Sequence, residues 1–405
     1  MIFVIGLGFV GLTTMLGFST KKFEVIGIEK NKIRLNLYKK KKIPFKEPFL
    51  NEVLKKQKKI KIKKNIEAKS QKNNFFFICV GTPTNKDGSQ NLNQIHSAIK
   101  NIIKFISSQK KSTNLIIIKS TILPGTINKL EKIYKAYNLN FVSNPEFLRE
   151  GHAWNDLING DRIIIGSNNH NILQTVKKIY SNFNGEIILT NPVTAEFSKY
   201  LSNTALSTMI SFSNEIIMIA EKFKDIDIKK MFLSFRKDKR WVNNTMSNYF
   251  HPGIGYGGYC LPKDTIALSR LSKKMRYKSK ILSSTIEINR SILDYQINKI
   301  KKKISKNKRI IILGITFKAL SDDLRNSIPI KIINKLYNMG YKNIFIHDPL
   351  IKKIDKSYIS EDINYIYRLT KDKKSFYILM NQWPIYKKFL KKIEKNKIID
   401  LRYVI

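Results

Sequence analysis

The sequence predicts an α/β protein in which two parallel-sheet domains are joined by a long central helix. Short apolar strands alternate with helical segments in the first half of the chain, and the same alternation restarts after Lys308. Such alternation is typical of parallel sheets covered by helices. Between the two halves, residues 194–220 contain neither proline nor glycine and are predicted to form one helix. A chain of 405 residues with 42% apolar residues can form two or three domains with substantial cores.

The first element is a βαβ unit with a nucleotide-binding pattern. Residues 2–5 are predicted to form a strand, glycines follow at positions 6, 8 and 11, residues 12–18 continue as a helix, and residues 24–29 form a second strand. The first glycine permits a tight turn, the second lets the backbone approach a pyrophosphate, and the third packs helix against strand. Glu29 is placed to accept hydrogen bonds from an adenosine ribose and would repel the 2′-phosphate of NADP. The pattern predicts a Rossmann-like domain that binds NAD.

Short apolar runs predict the remaining strands of both domains. They lie at residues 75–80, 115–119, 141–142 and 162–166 in the first half, and at 309–314, 344–348, 375–380 and 397–400 in the second, where residues 327–339 form a helix. Ligands bind at the carboxyl ends of such strands, so the loops Gly81-Thr82-Pro83 and Ser120-Thr121 are expected to line the cofactor site. The second half retains only Gly314 of the glycine pattern, and no second dinucleotide is expected there.

The net charge of +45 raises the question of nucleic acid as a partner. Lys and Arg total 75 against 30 Asp and Glu, but the lysines are scattered along the whole chain. Together with abundant Ile and Asn, they indicate a lysine-biased proteome, so no specific nucleic-acid binding is expected. The charge would still steer anionic ligands toward the protein.

Two features bear on where the protein resides. Residues 1–20 contain no charged side chain, so a signal anchor or membrane helix is an alternative for them. No basic segment precedes this run, and its glycines fit a strand, a turn and a helix start better, so no membrane attachment is expected. The two cysteines, Cys79 and Cys260, make no disulfide framework and indicate a reducing cytoplasm. Cys79 lies in an apolar strand and is interpreted as part of the core.

The glycine-rich segment of residues 253–264 contains a cysteine placed for chemistry. Cys260 is followed by Pro262, which suits the start of a helix, and by Lys263 and Asp264. A thiol at a helix N-terminus beside a lysine is expected to have a lowered pKa and to be nucleophilic. Asp264, four residues after Cys260, is placed to orient a water or to move protons. A buried structural cysteine near a turn is the alternative interpretation.

The long central helix carries a second candidate pair. Lys199 and Asn203 are four residues apart, so their side chains point into the same space. A lysine alone in such a helix is usually solvated. Beside Asn203, in a chain with a candidate nucleophile, Lys199 is interpreted as catalytic.

Taken together, these residues resemble the UDP-glucose/GDP-mannose dehydrogenase family nearly from end to end. Residues 147–150 and 161–163 look most like the members that act on UDP-glucose. The motifs that carry the resemblance lie at residues 6–11, 80–83, 120–121, 144–151, 161–163, 199 with 203, 211–212 with 214–215, 253–264, 314–318 and 322–325.

The resemblance implies an NAD-dependent twofold oxidation of UDP-glucose to UDP-glucuronate. A hydride leaves C6 of the sugar, Cys260 adds to the aldehyde, and a second hydride leaves the thiohemiacetal to give a thioester that water hydrolyses. Lys199 and Asn203 would stabilise the oxyanions, in keeping with their chemistry. Asp264 and Glu146 are candidates for handling water and protons. Thr121 would hold a catalytic water or the nicotinamide end of NAD.

The resemblance also implies the contacts of both ligands. The cofactor contacts are Gly6, Gly8, Phe9, Val10, Gly11, Glu29, Thr82, Pro83, Thr121, Glu150, Lys263 and Arg325. The substrate contacts are Phe147, Leu148, Arg149, Glu150, Lys199, Asn203, Arg240, Phe250, Gly253, Gly257, Cys260, Phe317, Lys318 and Arg402. Arg240 resembles an arginine that reaches into the partner subunit's site, which implies a homodimer built on the long helix. Trp241 follows it where the family usually has a small aliphatic residue. No metal site is expected.

The expected organisation is an NAD-binding domain over residues 1–192, a central helical dimerisation region with the cysteine loop over 193–296, and a Rossmann-like UDP-sugar-binding domain over 297–405. GDP-mannose or a UDP-N-acetylhexosamine remains an alternative substrate for the same chemistry. An inactive nucleotide-sugar binder or a polyanion binder is the alternative from another class.

Overall fold

A computed structural model of the chain describes residues 1–405 except 58–59, 68–70, 86–88, 109–111, 138, 241–244, 352–353 and 356. The chain divides into two compact units, Met1–Leu201 and Ser202–Ile405. The helix α8 (Pro192–Ala220) runs from the first unit into the second. It confirms the predicted central helix and begins two residues earlier than predicted, because Pro192 is tolerated in a first helical turn.

The first unit contains eight strands and seven helices ahead of α8 in the described part of the chain. The strands are β1 (Ile2–Ile5), β2 (Val25–Ile28), β3 (Lys61–Lys63), β4 (Asn73–Ile78), β5 (Thr113–Ile118), β6 (Asn140–Ser143), β7 (Arg162–Gly166) and β8 (Glu186–Thr190). The helices are α1 (Phe9–Thr20), α2 (Lys32–Lys39), α3 (Leu50–Lys56), α4 (Asn93–Ser107), α5 (Thr126–Ile133), α6 (Ala153–Ile158) and α7 (His170–Tyr180).

The strands of the first unit form one sheet in the order β3-β2-β1-β4-β5-β6-β7-β8. All neighbouring pairs are parallel except β6 and β7, which are antiparallel. The predicted α/β class is confirmed, and the sheet is mixed at this one pair. The strand predicted at 75–80 ends at Ile78, so Cys79 follows β4 rather than lying inside it, although it is buried as predicted.

Alternation along the central strands builds a core on each face of this sheet. Val4 and Phe77 point to one face, where they join a cluster with residues of α1 and α7. Phe3 and Phe76 point to the other face, where their rings stack at 4.8 Å beside residues of α4 and α5. Successive side chains of a strand alternate between faces, so a fully buried strand reads as a continuous apolar run.

The second unit continues from α8 with a helical part and a second sheet. Its helices are α9 (Ile228–Lys237), α10 (Cys260–Lys274), α11 (Lys280–Lys303), α12 (Ile328–Asn338) and α13 (Pro384–Leu390). Its strands are β9 (Arg309–Leu313), β10 (Ile344–His347), β11 (Asn364–Tyr365), β12 (Ser375–Leu379) and β13 (Ile398–Asp400), all parallel in the order β11-β10-β9-β12-β13. The predicted second α/β domain is confirmed.

The second sheet also has a core on each face. Ile310 and Ile312 of β9 pack with residues of α11 and α12, while Ile311 and Leu313 pack with residues of α13. Among the helices the structure describes, none is both long enough and apolar enough to cross a membrane. The first twenty residues form β1, a turn and α1, as predicted.

Candidate active site

The turn between β1 and α1 has the geometry that its glycines predict. Gly6 adopts φ of +86°, which favours glycine, and a Cβ at Gly11 would lie 1.9 Å from the carbonyl oxygen of Gly6. At Gly8, in contrast, a Cβ would meet no atom closer than Nη1 of Arg34, at 3.8 Å. The chain therefore leaves space over Gly8, as expected where a pyrophosphate approaches the backbone.

Glu29 lies beside this turn, directly after β2. Its Oε2 accepts a hydrogen bond from the backbone N–H of Leu7 at 3.1 Å, and its Oε1 accepts one from Asn31 at 2.9 Å. A carboxylate has about four acceptor positions, so capacity remains for ribose hydroxyls. Arg34, which no sequence pattern singled out, has its Nη1 3.8 Å from Oε2 of Glu29. The sequence signal that could have identified Arg34 was its position in the first turn of α2, shortly after the predicted ribose-binding acid.

Two of the predicted cofactor loops meet in the structure. The Oγ1 of Thr82 donates a hydrogen bond to the carbonyl oxygen of Thr121 at 2.9 Å, and Gln90 donates to the same oxygen at 2.7 Å. Pro83 accepts a hydrogen bond from the N–H of Asn91 at 2.9 Å. These contacts fix the backbone of Thr121 at the carboxyl end of β5.

Phe9 and Val10 form the first turn of α1, and the ring of Phe9 packs edge-on against Phe45 at 5.9 Å. Both residues are half-buried. They lie next to the glycine turn, where the family resemblance implies contact with the cofactor.

Glu146 and Lys199 form a buried ion pair inside the first unit. Nζ of Lys199 lies 3.0 Å from Oε1 of Glu146, and both side chains are less than a tenth exposed. Oε2 of Glu146 accepts a hydrogen bond from the N–H of Leu148 at 2.6 Å. The Lys199 ammonium also lies 5.4 Å from the ring centre of Phe147. Both residues were predicted as catalytic, but their pairing was not, since the two residues are far apart in sequence.

The segment after Glu146 is fixed by charged neighbours. The guanidinium of Arg162 lies over the Phe147 ring at 4.2 Å. Arg149 binds Asp156 through Nη2 at 2.7 Å and Nε at 3.0 Å, and its backbone N–H donates to the same carboxylate. Leu148 packs against the core, while Glu150 lies in the turn ahead of α6.

In the second unit, α10 begins at Cys260, whose side chain is exposed. This position confirms the predicted placement of the cysteine at a helix N-terminus. Gly255 and Gly258 in the preceding loop adopt φ of +98° and +78°, a conformation that favours glycine. Neither cysteine of the chain forms a disulfide.

Asp264 is fully buried one turn after Cys260, and its carboxylate contacts one lysine and one asparagine. Its Oδ1 lies 2.5 Å from Nζ of Lys263, and its Oδ2 accepts a hydrogen bond from Nδ2 of Asn203 at 2.6 Å. The ammonium of Lys263 also lies 5.7 Å from the ring of Tyr259. Three residues predicted from the sequence, Asn203, Lys263 and Asp264, therefore form one hydrogen-bonded cluster.

Residues 317, 326 and 402, which all follow α11 in sequence, pack against the cysteine loop. A Cβ at Gly253 would lie 2.8 Å from Nη1 of Arg402, and a Cβ at Gly258 would lie 2.9 Å from the ring of Phe317. A Cβ at Gly257 would lie 2.5 Å from the carbonyl oxygen of Asn326. The glycines of this loop thus allow close approach by residues 317–326 and 402.

The remaining predicted cations lie over aromatic rings or pair with acids. Lys318 lies 5.6 Å from the ring of Phe317, and Arg325 lies 4.6 Å from the ring of Tyr259 while it also binds Asp323 at 2.6 Å. Burial lowers the pKa of Arg402, whose Nε is buried without a hydrogen-bond partner among the described residues. A buried donor of this kind is suited to an anionic ligand group.

Phe250 and Arg240 have different surroundings. The Phe250 ring packs edge-on against Phe235 at 5.1 Å, and its carbonyl oxygen accepts a hydrogen bond from Arg236. The Arg240 side chain is 84% exposed, and its Nη2 lies 2.6 Å from Oδ2 of Asp238. Trp241 lies outside the described residues. Within the described residues, no group of three or more His, Cys, Asp and Glu side chains could hold a metal ion.

The glycine turn, the acid after β2 and the exposed cysteine define an α/β NAD-dependent dehydrogenase as the class of protein. Sequence profiles of the UDP-glucose/GDP-mannose dehydrogenase family match its NAD binding domain to residues 1–184, its central domain to 193–291 and its UDP binding domain to 311–405. The chain belongs to this family of nucleotide-sugar dehydrogenases, and its N-terminal domain is the NAD-binding domain.

Individual relatives agree with this assignment. The UDP-glucose 6-dehydrogenase of Rickettsia bellii is 32% identical over 99% of this chain and 94% of its own length. UDP-glucose 6-dehydrogenase YwqF of Bacillus subtilis is 33% identical over 89% of this chain and 82% of its own length. Among solved structures, a UDP-glucose dehydrogenase from Pyrobaculum islandicum matches with a TM-score of 0.89 at 26% identity, over 100% of this chain and 94% of that one. A UDP-N-acetyl-mannosamine dehydrogenase from Staphylococcus aureus matches with a TM-score of 0.79 at 25% identity, over 100% and 95%.

Proposed function

We propose that the protein oxidises UDP-glucose twice at C6 to UDP-glucuronate, with two NAD as hydride acceptors. The observation that carries this proposal is the position of Cys260, exposed at the first residue of α10 and one turn ahead of the buried Asp264. An exposed, nucleophilic thiol can capture an aldehyde covalently and so permit its second oxidation. The similarity to relatives named UDP-glucose 6-dehydrogenase supports UDP-glucose as the substrate.

Cys260 acts as the nucleophile in the second half of this reaction. Its sulfur adds to C6 of the aldehyde to form a thiohemiacetal, which loses a hydride to give a thioester. Water then hydrolyses the thioester to the uronic acid and restores the thiol. Asp264 is proposed to orient the water or to accept its proton, and Lys263 and Asn203 hold the Asp264 carboxylate in place.

Lys199, Glu146 and Thr121 are proposed to take part in the same reaction. The Lys199 ammonium, buried against Glu146, is suited to stabilise an oxyanion because a cation acts strongly where water is excluded. Asn203 is proposed to share this role. Glu146 is a candidate to move protons, and Thr121 is proposed to hold a catalytic water or the nicotinamide end of the cofactor.

The residues of the first unit fit NAD. The open space over Gly8 accommodates a pyrophosphate, and the Glu29 carboxylate keeps acceptor capacity for the adenosine ribose. When bound, NAD supplies the hydride acceptor for both oxidations. Further cofactor contacts are proposed for Phe9, Val10, Thr82, Pro83, Glu150, Lys263 and Arg325.

The nucleotide sugar is proposed to bind through the residues that the family resemblance implies. Arg402 offers the clearest support, because its buried Nε has no hydrogen-bond partner among the described residues and a diphosphate oxygen would supply one. The other proposed contacts are Phe147, Leu148, Arg149, Glu150, Phe250, Gly253, Gly257, Phe317 and Lys318.

We further propose a cytoplasmic homodimer with the three domains predicted from the sequence, with boundaries at residues 192/193 and 296/297. The exposed side chains of Phe212, Ile219 and Leu233, on α8 and α9, support an interface between two copies. The exposed Arg240 is proposed to reach the partner's site. A nucleophilic thiol supports a reducing compartment, where it would stay unoxidised.

The test is the number of NADH formed per UDP-glucose consumed by the purified protein. Two NADH per sugar with UDP-glucuronate as product is the expected result. The same assay with GDP-mannose and UDP-N-acetylhexosamines decides the substrate, and turnover confined to one of these would replace UDP-glucose in the proposal. A UDP-N-acetylhexosamine is the second candidate, since the name of the Staphylococcus aureus neighbour points to that class. Absence of NADH with all of them would favour an inactive nucleotide-sugar or polyanion binder.

A further inference from the structure

Lys119 is a buried lysine that the proposed reaction does not use. It follows β5 directly, and its side chain is 5% exposed. Its Nζ donates a hydrogen bond to Oδ1 of Asn144 at 3.0 Å and lies 5.9 Å from the ring centre of Tyr180. A buried ammonium is costly unless neighbouring groups compensate its charge, so its surroundings indicate what it does.

Asn144 is held on three sides by this cluster. Besides Lys119, the hydroxyl of Tyr180 donates to the same Oδ1 at 2.6 Å, and Nδ2 of Asn144 donates to the carbonyl oxygen of Ile164 at 2.8 Å. Asn144 precedes Glu146 by two residues, with the conformationally restricted Pro145 between them. Fixing the Asn144 side chain therefore restrains the backbone that carries Glu146.

Four titratable groups face Lys119 from the elements around it. Cys79 lies after β4, Tyr180 on α7, Glu146 after β6 and Lys199 on α8. Burial raises the pKa of Cys79 to about 12 and that of Tyr180 well above its ordinary value, so both are neutral near pH 7. The charges that remain near Lys119 are the Glu146 carboxylate and the Lys199 ammonium that pairs with it.

We propose that Lys119 is a positioning residue for Glu146: through Asn144 it fixes the backbone that carries Glu146. Burial lowers the pKa of Lys119 to about 8, so its positive charge is lost in mildly alkaline solution. The catalytic use of this effect rests on the proposed function, in which Glu146 moves protons.

The experiment measures Glu146 directly and needs no substrate. The full-length protein is labelled with [δ-13C]glutamate, and the Glu146 carboxyl resonance is assigned by its loss in Glu146→Gln. In the unsubstituted protein, the chemical shift of this resonance is expected to change with an inflection near pH 8, where Lys119 loses its proton. In Lys119→Arg, which keeps its charge, this inflection is expected to disappear.

Lys119→Met removes the charge with nearly the same side-chain volume. It removes the Lys119 donor to Asn144 and is expected to shift the Glu146 carboxyl resonance at pH 7 and to abolish the inflection near pH 8. Tyr180→Phe is the matched control: it removes the other donor to Asn144 without changing charge and should leave the inflection in place. A Lys119→Met variant with an unchanged Glu146 resonance, or an unsubstituted protein without the alkaline inflection, would overturn the proposal. If Lys119→Met does not fold, the comparison with Lys119→Arg decides alone.

Kinetics separate this proposal from the proposed function. With an active substrate, kcat of Lys119→Met is expected to fall at least about tenfold at pH 7, with recovery in Lys119→Arg and little change in KM. The carboxyl titration is readable even if no nucleotide sugar is oxidised. A failed titration with normal NADH production would reject only the role of Lys119, whereas a positive titration without turnover would reject only the proposed function.

Discussion

Replacing Asp264 by asparagine should cost the second unit much of its stability. The Asp264 side chain is fully buried and that of Lys263 is 9% exposed, with Nζ and Oδ1 2.5 Å apart. Removing one partner of such a pair leaves an uncompensated buried charge, which costs about 3–5 kcal/mol. An asparagine keeps an oxygen that accepts the hydrogen bond of Asn203, so we expect the lower value, about 3 kcal/mol. For a folding unit of this size, that corresponds to a fall in Tm of about 6–12 °C.

The assay is thermal unfolding followed by circular dichroism at pH 7 on the full chain. Asp294→Asn is the matched control because it also removes the acidic partner of a lysine, Lys335, in the second unit, but at a pair whose side chains are 59% and 40% exposed. Exposed pairs contribute about 0–1 kcal/mol, so its Tm should change little. The double variant Lys263→Met with Asp264→Asn should regain part of the loss, since no unpaired ammonium remains. If Asp264→Asn lowers Tm no more than Asp294→Asn does, the ion pair is not what holds this cluster.

Three further predictions follow from the geometry. Cys260→Ser should abolish the production of two NADH per UDP-glucose in a stoichiometric assay, and full turnover by this variant would contradict the thioester route. Gly8→Ala should leave Tm unchanged, because the chain leaves room for the methyl group, but should raise KM for NAD at least about tenfold, because a pyrophosphate needs that room. Gly11→Ala should instead lower Tm, because its methyl group would collide with the Gly6 carbonyl. Glu196 is 2% exposed and accepts backbone hydrogen bonds from Gly125 and Ile127, and burial raises its pKa from the ordinary 4.5 to about 7. The native state then binds this proton more tightly than the unfolded state does, so stability should fall by up to about 3 kcal/mol as pH rises from about 4.5 to 7. The free energy of unfolding, measured with urea at several pH values in this range, should depend less on pH in Glu196→Gln than in the unsubstituted protein. An equal pH dependence in the two proteins would contradict this role of Glu196.

Local patterns predicted most of the fold. The glycine spacing after β1 predicted the turn and α1, since only glycine suits φ of +86° at Gly6 and the close approach at Gly11. Strands β3 and β11 were missed because these edge strands are only three and two residues long and contain Lys61, Lys63 and Asn364, which hide the apolar pattern. Strand β8 was missed although Ile187, Ile188 and Leu189 form an apolar run. The antiparallel pairing of β6 and β7 could not be predicted, because an apolar run predicts a strand but not whether that strand is parallel or antiparallel to its neighbour.

The candidate site was predicted as a set of residues rather than as a set of contacts. Cys260 and Asp264 were readable because four residues in one helix bring side chains to one face. The ion pair of Glu146 with Lys199 and the bond of Lys119 to Asn144 join residues distant in sequence. Such pairs depend on which strands become neighbours, and a single sequence does not contain that information.

The shortness of the sheet edges also bears on how the protein avoids aggregation. In the part of the chain that the structure describes, three of the four edge strands, β3, β11 and β13, are only two or three residues long. In β3, the exposed Lys61 and the half-buried Lys63 lie on either side of Ile62. An unpaired strand edge is a template onto which another chain can add a strand, and a short, positively charged edge makes a poor template. In a protein with a net charge of +45, the lysines at β3 would repel a second copy that approached edge to edge. Lysine at this edge therefore disfavours pairing of the sheet with another chain, whatever the origin of the high lysine content.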